Sequence, residues 1–184
     1  MKNMFVKHIP NILTAFRFVL VFPFLFFVHG VLAHDRASIF PLIIFVSILV
    51  SDVLDGYLAR KLNSATASGA KFDIISDAFY SISSLVLFAY HEIIPVWFPV
   101  IVGLKLLEFI VTSKIIKTKR KSNADLFFDK IGKMAIIIVM VMPGIFVFSG
   151  LIPDYKIAMN MVAYFVTALF MASFVNRMVL VLRR

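Results

Sequence analysis

Residues 39–60, IFPLIIFVSILVSDVLDGYLAR, combine a long apolar run with two aspartates and an arginine at its end. A run of about 20 apolar residues is what a helix needs to cross the hydrocarbon core of a bilayer. Asp52 and Asp55 lie near the end of this run, where an isolated carboxylate costs at least ~2.5 kcal/mol on insertion scales. The stretch therefore predicts a membrane-spanning helix whose acidic end requires positive partners.

The rest of the chain has the same apolar character. Its 184 residues are 61% apolar with 21 Phe, and the mean hydropathy is +0.98, more than a soluble domain of this length can bury. We expect an all-α integral membrane protein, one domain over residues 1–184, with six transmembrane helices after a short N-terminal juxtamembrane segment. The runs lie at about 12–33, 39–59, 73–90, 95–115, 132–150 and 157–181. The absence of cysteine excludes disulfides and thiolate metal sites.

The basic residues indicate the orientation of the chain. Most of the 19 Lys and Arg residues fall at the termini and in the second and fourth loops, whereas only Arg36 and Lys156 fall on the opposite side. The positive-inside rule then predicts that the termini and the second and fourth loops are cytoplasmic. We expect a multi-pass protein of the plasma membrane whose active site also faces the cytoplasm. Basic collars facing anionic lipids account for the net charge of +9. No nucleic-acid partner is expected, because no basic domain with stacking aromatics lies outside the spans.

The acidic residues are clustered, with four of the ten lying between Asp52 and Asp77. Helical spacing places them on two stripes together with small residues. The first stripe is Asp52, Asp55, Gly56 and Ala59, and the second is Gly69, Asp73 and Asp77. The short connection between the two helices makes them antiparallel neighbours, with the acids roughly 9–12 Å inward from the interface at 1.5 Å per residue.

These carboxylates favour a hard divalent cation. Oxygen ligands without His or Cys select Mg²⁺, Mn²⁺ or Ca²⁺ over zinc, and a site with positions left open for phosphate oxygens is typical of Mg²⁺. Gly56 and Ala59 leave room for a bulky phosphate ligand. Two other interpretations stay open at this point: a structural network with Arg60, Lys61 and Lys71, and a cation or proton pathway. The placement of the acids at one membrane edge favours a lipid-linked substrate.

The motif D-x2-D-G-x2-A-R-x8-G-x3-D-x3-D, running from Asp52 to Asp77 without a mismatch, resembles the signature of the CDP-alcohol phosphatidyltransferase family. The size and six-helix topology are similar to those of its bacterial members. The opening IPNILTAFR of residues 9–17 is similar to that of phosphatidylglycerophosphate synthases. The resemblance implies phospholipid biosynthesis, in which a phosphatidyl group passes from CDP-diacylglycerol to a small alcohol with release of CMP. It also implies a possible homodimer.

The resemblance further implies roles for individual residues. Asp52 and Asp73 would bridge two Mg²⁺ or Mn²⁺ ions, Asp55 would complete the first site, and Asp77 would ligate the second ion and act as general base. The residues implied to bind the CDP-lipid are Asn11, Ile12, Leu13, Thr14, Gly56, Ala59, Arg60, Thr66 and Gly69. A two-metal centre suits this chemistry, because it neutralises a pyrophosphate and orients an incoming hydroxyl.

The acceptor alcohol is less well defined by the sequence. Basic residues that could hold its phosphate are Lys105, Lys130, Lys133 and Arg177, although Lys105 and Glu108 at i and i+3 also suit an intramembrane ion pair. We favour glycerol 3-phosphate and keep serine, inositol and inositol phosphate open. Phosphatidylglycerophosphate synthases usually have Pro, Lys and Arg at the places held here by Ile74, Ala78 and Leu107.

Two hypotheses from other functional classes stay open. The protein could be a small cation or proton transporter, or a non-catalytic membrane protein that keeps the motif for helix packing. Arg17 lies too deep in the first span to be a surface charge. We expect it to pair with one of the acids or to extend to the membrane interface.

Overall fold

The computed structural model describes residues 2–34, 38–61, 67–120, 129–149 and 155–182. These residues form six helices, and no β-strand occurs among them, so the all-α prediction is confirmed for this part of the chain. The helices are α1 (Lys2–His34), α2 (Phe40–Lys61), α3 (Ala67–Tyr90), α4 (Trp97–Arg120), α5 (Lys130–Ser149) and α6 (Tyr155–Leu182). The expected juxtamembrane segment is helical and continuous with α1.

Length and composition allow several of these helices to cross a bilayer. The apolar segments long enough to do so are Leu13–His34, Phe72–Tyr90, Lys130–Phe148 and Tyr155–Leu182, and α2 has a shorter apolar segment, Phe40–Leu54. Large apolar side chains stay exposed along the helices; Phe22, Phe26 and Tyr164, for example, are more than half exposed. Lipid is the solvent in which such a surface is stable, which supports an integral membrane protein.

The first of two compact units covers residues 1–87. In this unit α1 packs along α2, and α1 buries a stripe in which the spacing alternates between three and four residues. The stripe consists of Thr14, Arg17, Val21, Phe24 and Val28. A stripe with this period forms one side of a helix. Arg17 therefore belongs to the buried side of α1, although it is charged.

The second unit covers residues 88–184. Here α6 packs against both α4 and α5. Its buried residues again recur at helical spacing and end in an arginine: Met159, Ala163, Val166, Phe170, Ser173 and Arg177. Asn160 donates from Nδ2 to the carbonyl of Ile93 at 3.0 Å, which ties the start of α6 to the turn before α4.

The C-terminus of α3 is closed by a Schellman arrangement. The amide of Ile93 donates to the carbonyl of Phe88 at 2.9 Å, and the amide of Glu92 donates to the carbonyl of Ala89 at 3.1 Å. Glu92 has a φ of 58°, the left-handed conformation that this motif requires and that glycine usually provides. The chain thus ends α3 with a residue that has a Cβ in a position suited to glycine.

Candidate metal centre

Three aspartates of the motif converge in the first unit. One carboxylate oxygen from each of Asp52, Asp73 and Asp77 lies within 4.8 Å of the others. Asp52 is on α2, whereas Asp73 and Asp77 are one turn apart on α3, so the helical spacing places both on the same side of that helix. The side chains are 40%, 38% and 23% exposed, respectively. A ligand from outside the protein can therefore reach them.

Arg17 joins the three carboxylates from the buried side. Its Nη1 lies 2.8 Å from Oδ1 of Asp73 and 2.8 Å from Oδ1 of Asp77, and its Nη2 lies 2.9 Å from Oδ1 of Asp52. The arginine side chain is only 1% exposed. The expectation that Arg17 pairs with an acid is confirmed, and the structure extends it from one carboxylate to three.

Aromatic contacts hold α3 against α1 beside this cluster. Phe18 stacks on Phe79 with ring centroids 4.8 Å apart, and Phe24 contacts Tyr80 at 5.5 Å. Aromatic pairs of this kind contribute about 0.5–1.5 kcal/mol each beyond the area they bury. Because Phe18 follows Arg17 directly and Phe79 lies two residues after Asp77, these contacts hold the guanidinium near the two carboxylates of α3.

The other predicted metal and lipid ligands are placed only in part. Several of these residues cannot be placed in full. Outside the described residues lie Thr66 and, beyond their helical backbone, Asn11, Ile12, Asp55, Gly56, Ala59 and Arg60. Thr14 is buried in the same stripe as Arg17, while Leu13 and Gly69 are partly exposed on α1 and α3. The metal and CDP-lipid roles of all these residues therefore stay predictions.

A second charged cluster lies in the second unit around Arg177, whose side chain is 0% exposed. Its Nε lies 3.2 Å from Oε1 of Glu108 and 2.8 Å from Oγ1 of Thr112. Its Nη2 donates to the carbonyl of Phe109 at 3.1 Å and to Oγ of Ser113 at 3.0 Å. The guanidinium carbon also lies 4.9 Å from the centre of the Phe109 ring. Groups on α4 thus engage much of the hydrogen-bonding capacity of Arg177.

The predicted acceptor residues differ in exposure. Lys105 is buried, and its Nζ lies 2.6 Å from Oε2 of Glu108, so the ion-pair interpretation of these two residues is confirmed. Lys130 and Lys133 are exposed in the first turn of α5. Lys105 and Arg177 both form an ion pair with Glu108. Acceptor binding by any of the four residues stays a prediction.

Asp129 completes the second cluster. Its Oδ2 accepts from the amide of Gly132 at 2.9 Å, which caps the N-terminus of α5, and its Oδ1 lies 3.4 Å from Nη1 of Arg177. Burial alone would raise the pKa of Asp129. The Gly132 hydrogen bond, the hydrogen bond from Arg177 and the charge of Lys105 outweigh burial and hold this pKa below its usual 3.8.

The sequence interpretation missed Asp129 and the joint role of Glu108. The signal for Asp129 was present, because an aspartate just before a long apolar run is typical of a helix N-cap. Nothing in the spacing linked Glu108 to Arg177, which are 69 residues apart. Such a pair becomes visible only when α4 and α6 are packed together.

A comparison with protein families matches residues 7–181 to the family described as CDP-alcohol phosphatidyltransferase. The chain belongs to the CDP-alcohol phosphatidyltransferase family. The resemblance carried by the motif of Asp52 to Asp77 is thereby confirmed. The family match includes residues of both compact units.

Several curated relatives of this member of the CDP-alcohol phosphatidyltransferase family carry specific names. A CDP-diacylglycerol–glycerol-3-phosphate 3-phosphatidyltransferase of Wigglesworthia glossinidia brevipalpis is 40% identical over 80 residues, 44% of this chain and 43% of that protein. The protein of that name from Haemophilus influenzae is 38% identical over 85 residues, 46% of this chain and 45% of its own. A cardiolipin synthase (CMP-forming) of Streptomyces coelicolor is 34% identical over 93 residues, 50% and 43% of the two chains.

These alignments with members of the CDP-alcohol phosphatidyltransferase family are partial. The chain spans less than half the length of each of these curated relatives. No solved structure matches the chain.

Proposed function

We propose that this protein transfers the phosphatidyl group of CDP-diacylglycerol to a small polar alcohol, with glycerol 3-phosphate as the favoured acceptor and CMP as the second product. The observation that carries the proposal is the convergence of Asp52, Asp73 and Asp77, which come from two helices and belong to the family motif. The names of two relatives support glycerol 3-phosphate as the acceptor.

The carboxylate cluster fits divalent metal ions. Three carboxylate oxygens within 4.8 Å of one another form a hard, all-oxygen donor set, which suits Mg²⁺ or Mn²⁺. In the proposal Asp52 and Asp73 hold two ions together, with Asp55 at the first and Asp77 at the second. Such ions neutralise the pyrophosphate and stabilise the departing CMP when they are bound.

The residues of the chain then have to position the acceptor and accept its proton. The acceptor hydroxyl oxygen attacks the phosphatidyl phosphorus, a new P–O bond forms, and the bond from that phosphorus to the CMP phosphate breaks. The hydroxyl proton passes to a carboxylate oxygen of Asp77, which we assign as the general base. CMP leaves with the electron pair of the broken bond, so that atoms and charges balance.

The proposed binding residues fall into two groups, one for each substrate. Residues proposed to hold the CDP-lipid are Asn11, Ile12, Leu13, Thr14, Gly56, Ala59, Arg60, Thr66 and Gly69. For the acceptor phosphate we propose Lys130 and Lys133 as direct contacts, because both are exposed. Lys105 and Arg177 bind Glu108 and complete the basic side of the proposed acceptor site.

The same proposal includes the topology. Six transmembrane helices, with both termini and the active site at the cytoplasmic side of the plasma membrane, are supported by the distribution of basic residues. A homodimer is part of the proposal through the family resemblance alone.

The deciding experiment measures CMP release by the purified full chain with CDP-diacylglycerol, Mg²⁺ or Mn²⁺ and a panel of alcohols. We expect release that requires both the metal and glycerol 3-phosphate, and mass spectrometry should identify phosphatidylglycerophosphate. Release only with serine, inositol or inositol phosphate would reassign the acceptor. Formation of cardiolipin with added phosphatidylglycerol as the acceptor would align the chain with the Streptomyces relative. Folded, metal-loaded protein that releases no CMP with any acceptor would contradict the proposal.

A transporter interpretation predicts a different result in the same preparation. A cation or proton transporter reconstituted in vesicles would move ions without CDP-diacylglycerol. The location of the acids on α2 and α3 alone, beside a buried arginine of α1, favours the enzyme, because transport sites usually take ligands from discontinuous helices near the midplane.

A further inference from the structure

We infer that Arg17 is an internal counter-cation of the carboxylate cluster, which holds the three carboxylates together without metal and competes with the first divalent ion for them. The inference deepens the proposed function, because it concerns the same cluster. It assigns to Arg17 an effect on metal affinity.

The contacts of Arg17 carry the argument. One guanidinium group reaches all three carboxylates at 2.8 to 2.9 Å. Those carboxylates place oxygens within 4.8 Å of one another, so they would repel one another strongly if no positive group were among them. The guanidinium carries the positive charge that this arrangement needs.

The charges of the described side chains support the same conclusion. Among the described side chains, three carboxylates and one guanidinium leave a net negative charge, so the cluster still attracts a divalent cation while Arg17 is paired with it. A divalent ion that approaches these oxygens also approaches Arg17, and the two positive groups repel each other. Arg17 therefore stabilises the metal-free form more than the metal-bound form.

The buried position of Arg17 keeps its guanidinium beside the carboxylates when a metal ion approaches. Its side chain is 1% exposed, whereas the carboxylates are 23–40% exposed. The guanidinium lies beneath the cluster on the buried stripe of α1, and a metal ion would arrive from the exposed side. An arginine is always protonated in proteins, so its charge does not vary with pH.

The test uses Arg17→Gln in the full-length protein in zwitterionic detergent, with Mn²⁺ alone as the probe. Loss of the free Mn²⁺ signal in electron paramagnetic resonance gives the dissociation constant. We expect Arg17→Gln to bind Mn²⁺ about tenfold more tightly or better. By linkage, its loss of melting temperature relative to wild type should be larger without metal than with saturating Mn²⁺.

Two controls isolate the effect. Lys156→Gln removes a positive charge from an exposed position and should leave Mn²⁺ affinity unchanged. Asp73→Asn in the Arg17→Gln background should weaken the tight binding, which shows that the probe is at this cluster. If Arg17→Gln does not fold, Arg17→Lys serves instead, because its single ammonium cannot span three carboxylates and should raise Mn²⁺ affinity about threefold or more.

Equal or weaker Mn²⁺ binding by the substituted protein would overturn the inference, as would a stability loss that is the same with and without Mn²⁺. Weaker binding would mean that Arg17 orients the carboxylates for the ion instead of competing with it. None of these measurements requires CMP release. A protein that fails the transferase assay can still confirm or refute the role of Arg17, and the two failures are therefore distinguishable.

Discussion

Asp129 and Arg177 form a buried ion pair, with Oδ1 and Nη1 3.4 Å apart and side chains that are 4% and 0% exposed. The pair links the residue before α5 to α6, while Glu108 links the same arginine to α4. One side chain thus connects all three helices whose bounds lie in the second unit. Its removal leaves the buried carboxylate of Asp129 and the partly exposed carboxylate of Glu108 without their shared partner.

Arg177→Gln is therefore expected to destabilise the protein by about 3–5 kcal/mol, the range for breaking a buried ion pair from one side. Thermal or denaturant unfolding in detergent measures the change. Lys133→Gln is the matched control, because Lys133 is an exposed cation on α5 and should stay within about 0.5 kcal/mol of wild type. Equal effects of the two substitutions would contradict a structural role for Arg177.

Gly132→Ala should also destabilise, for steric reasons. A Cβ at position 132 would lie 2.7 Å from Oδ1 of Asp129 and 2.7 Å from Oγ of Ser173, so the capping carboxylate and the Ser173 hydroxyl would have to move. We expect a loss of about 1–3 kcal/mol, typical of overpacking. Gly103→Ala is the control, since nothing lies within 4 Å of a Cβ there and a helical alanine should gain about 0.5–1 kcal/mol. Stabilisation by both alanines would refute the close contact.

The ionisation of Asp129 predicts an acid-dependent contribution to stability. Its pKa in the folded protein is below 3.8, so its contribution is complete above the unfolded pKa and is lost as the pH falls through the folded one. The difference in unfolding free energy between wild type and Asp129→Asn should be constant above about pH 5 and should shrink below pH 3.8. Equilibrium unfolding of both proteins between about pH 6 and pH 3 measures it. A difference independent of pH would exclude the charged form of Asp129 as its source.

Asp77→Asn is expected to reduce CMP release at least ~10²-fold, because an amide cannot accept the acceptor proton. Binding of CDP-diacylglycerol, measured separately with labelled lipid, should largely persist. Ser83→Ala on the same helix is the control, since its hydroxyl donates to the carbonyl of Phe79 at 2.5 Å within α3 and has no assigned role in the reaction. Near-normal turnover of Asp77→Asn would remove the general-base assignment.

Glu92→Gly should stabilise the protein by about 1 kcal/mol, because glycine adopts the left-handed conformation without the steric cost that other residues incur. The φ of 58° at Glu92 is the basis of this expectation. Glu92→Ala removes the same carboxylate but keeps the Cβ, so it should give no comparable gain. A gain shared by both variants would assign the effect to the charge of Glu92.

The sequence predicted the helices well because their apolar runs are long and separated by polar segments. The predicted run at 157–181 differs by only a few residues from α6, Tyr155–Leu182. The carboxylate cluster was also predictable, since Asp73 and Asp77 are one helical turn apart and α2 precedes α3 by a short connection.

The full sets of partners of the two buried arginines, Arg17 and Arg177, could not be predicted from helical spacing. Arg17 could be assigned an acid as its partner, but the number of carboxylates it reaches depends on how α1 packs along α2 and contacts α3. For Arg177, the partners lie on α4 and before α5, at separations where helical periodicity gives no information. Local spacing defines the side of one helix, whereas contacts between distant helices depend on packing.

The arginine of α1 also has a consequence for how the chain is inserted into the bilayer during synthesis. Because α1 precedes α2 and α3 along the chain, Arg17 is synthesised before the aspartates of those helices. A helix that carries unpaired charges has a high free energy of insertion. Pairing with Arg17 lowers this free energy for α2 and α3. From this order along the chain we expect Arg17 to assist the insertion of α2 and α3, before any substrate or metal ion is encountered.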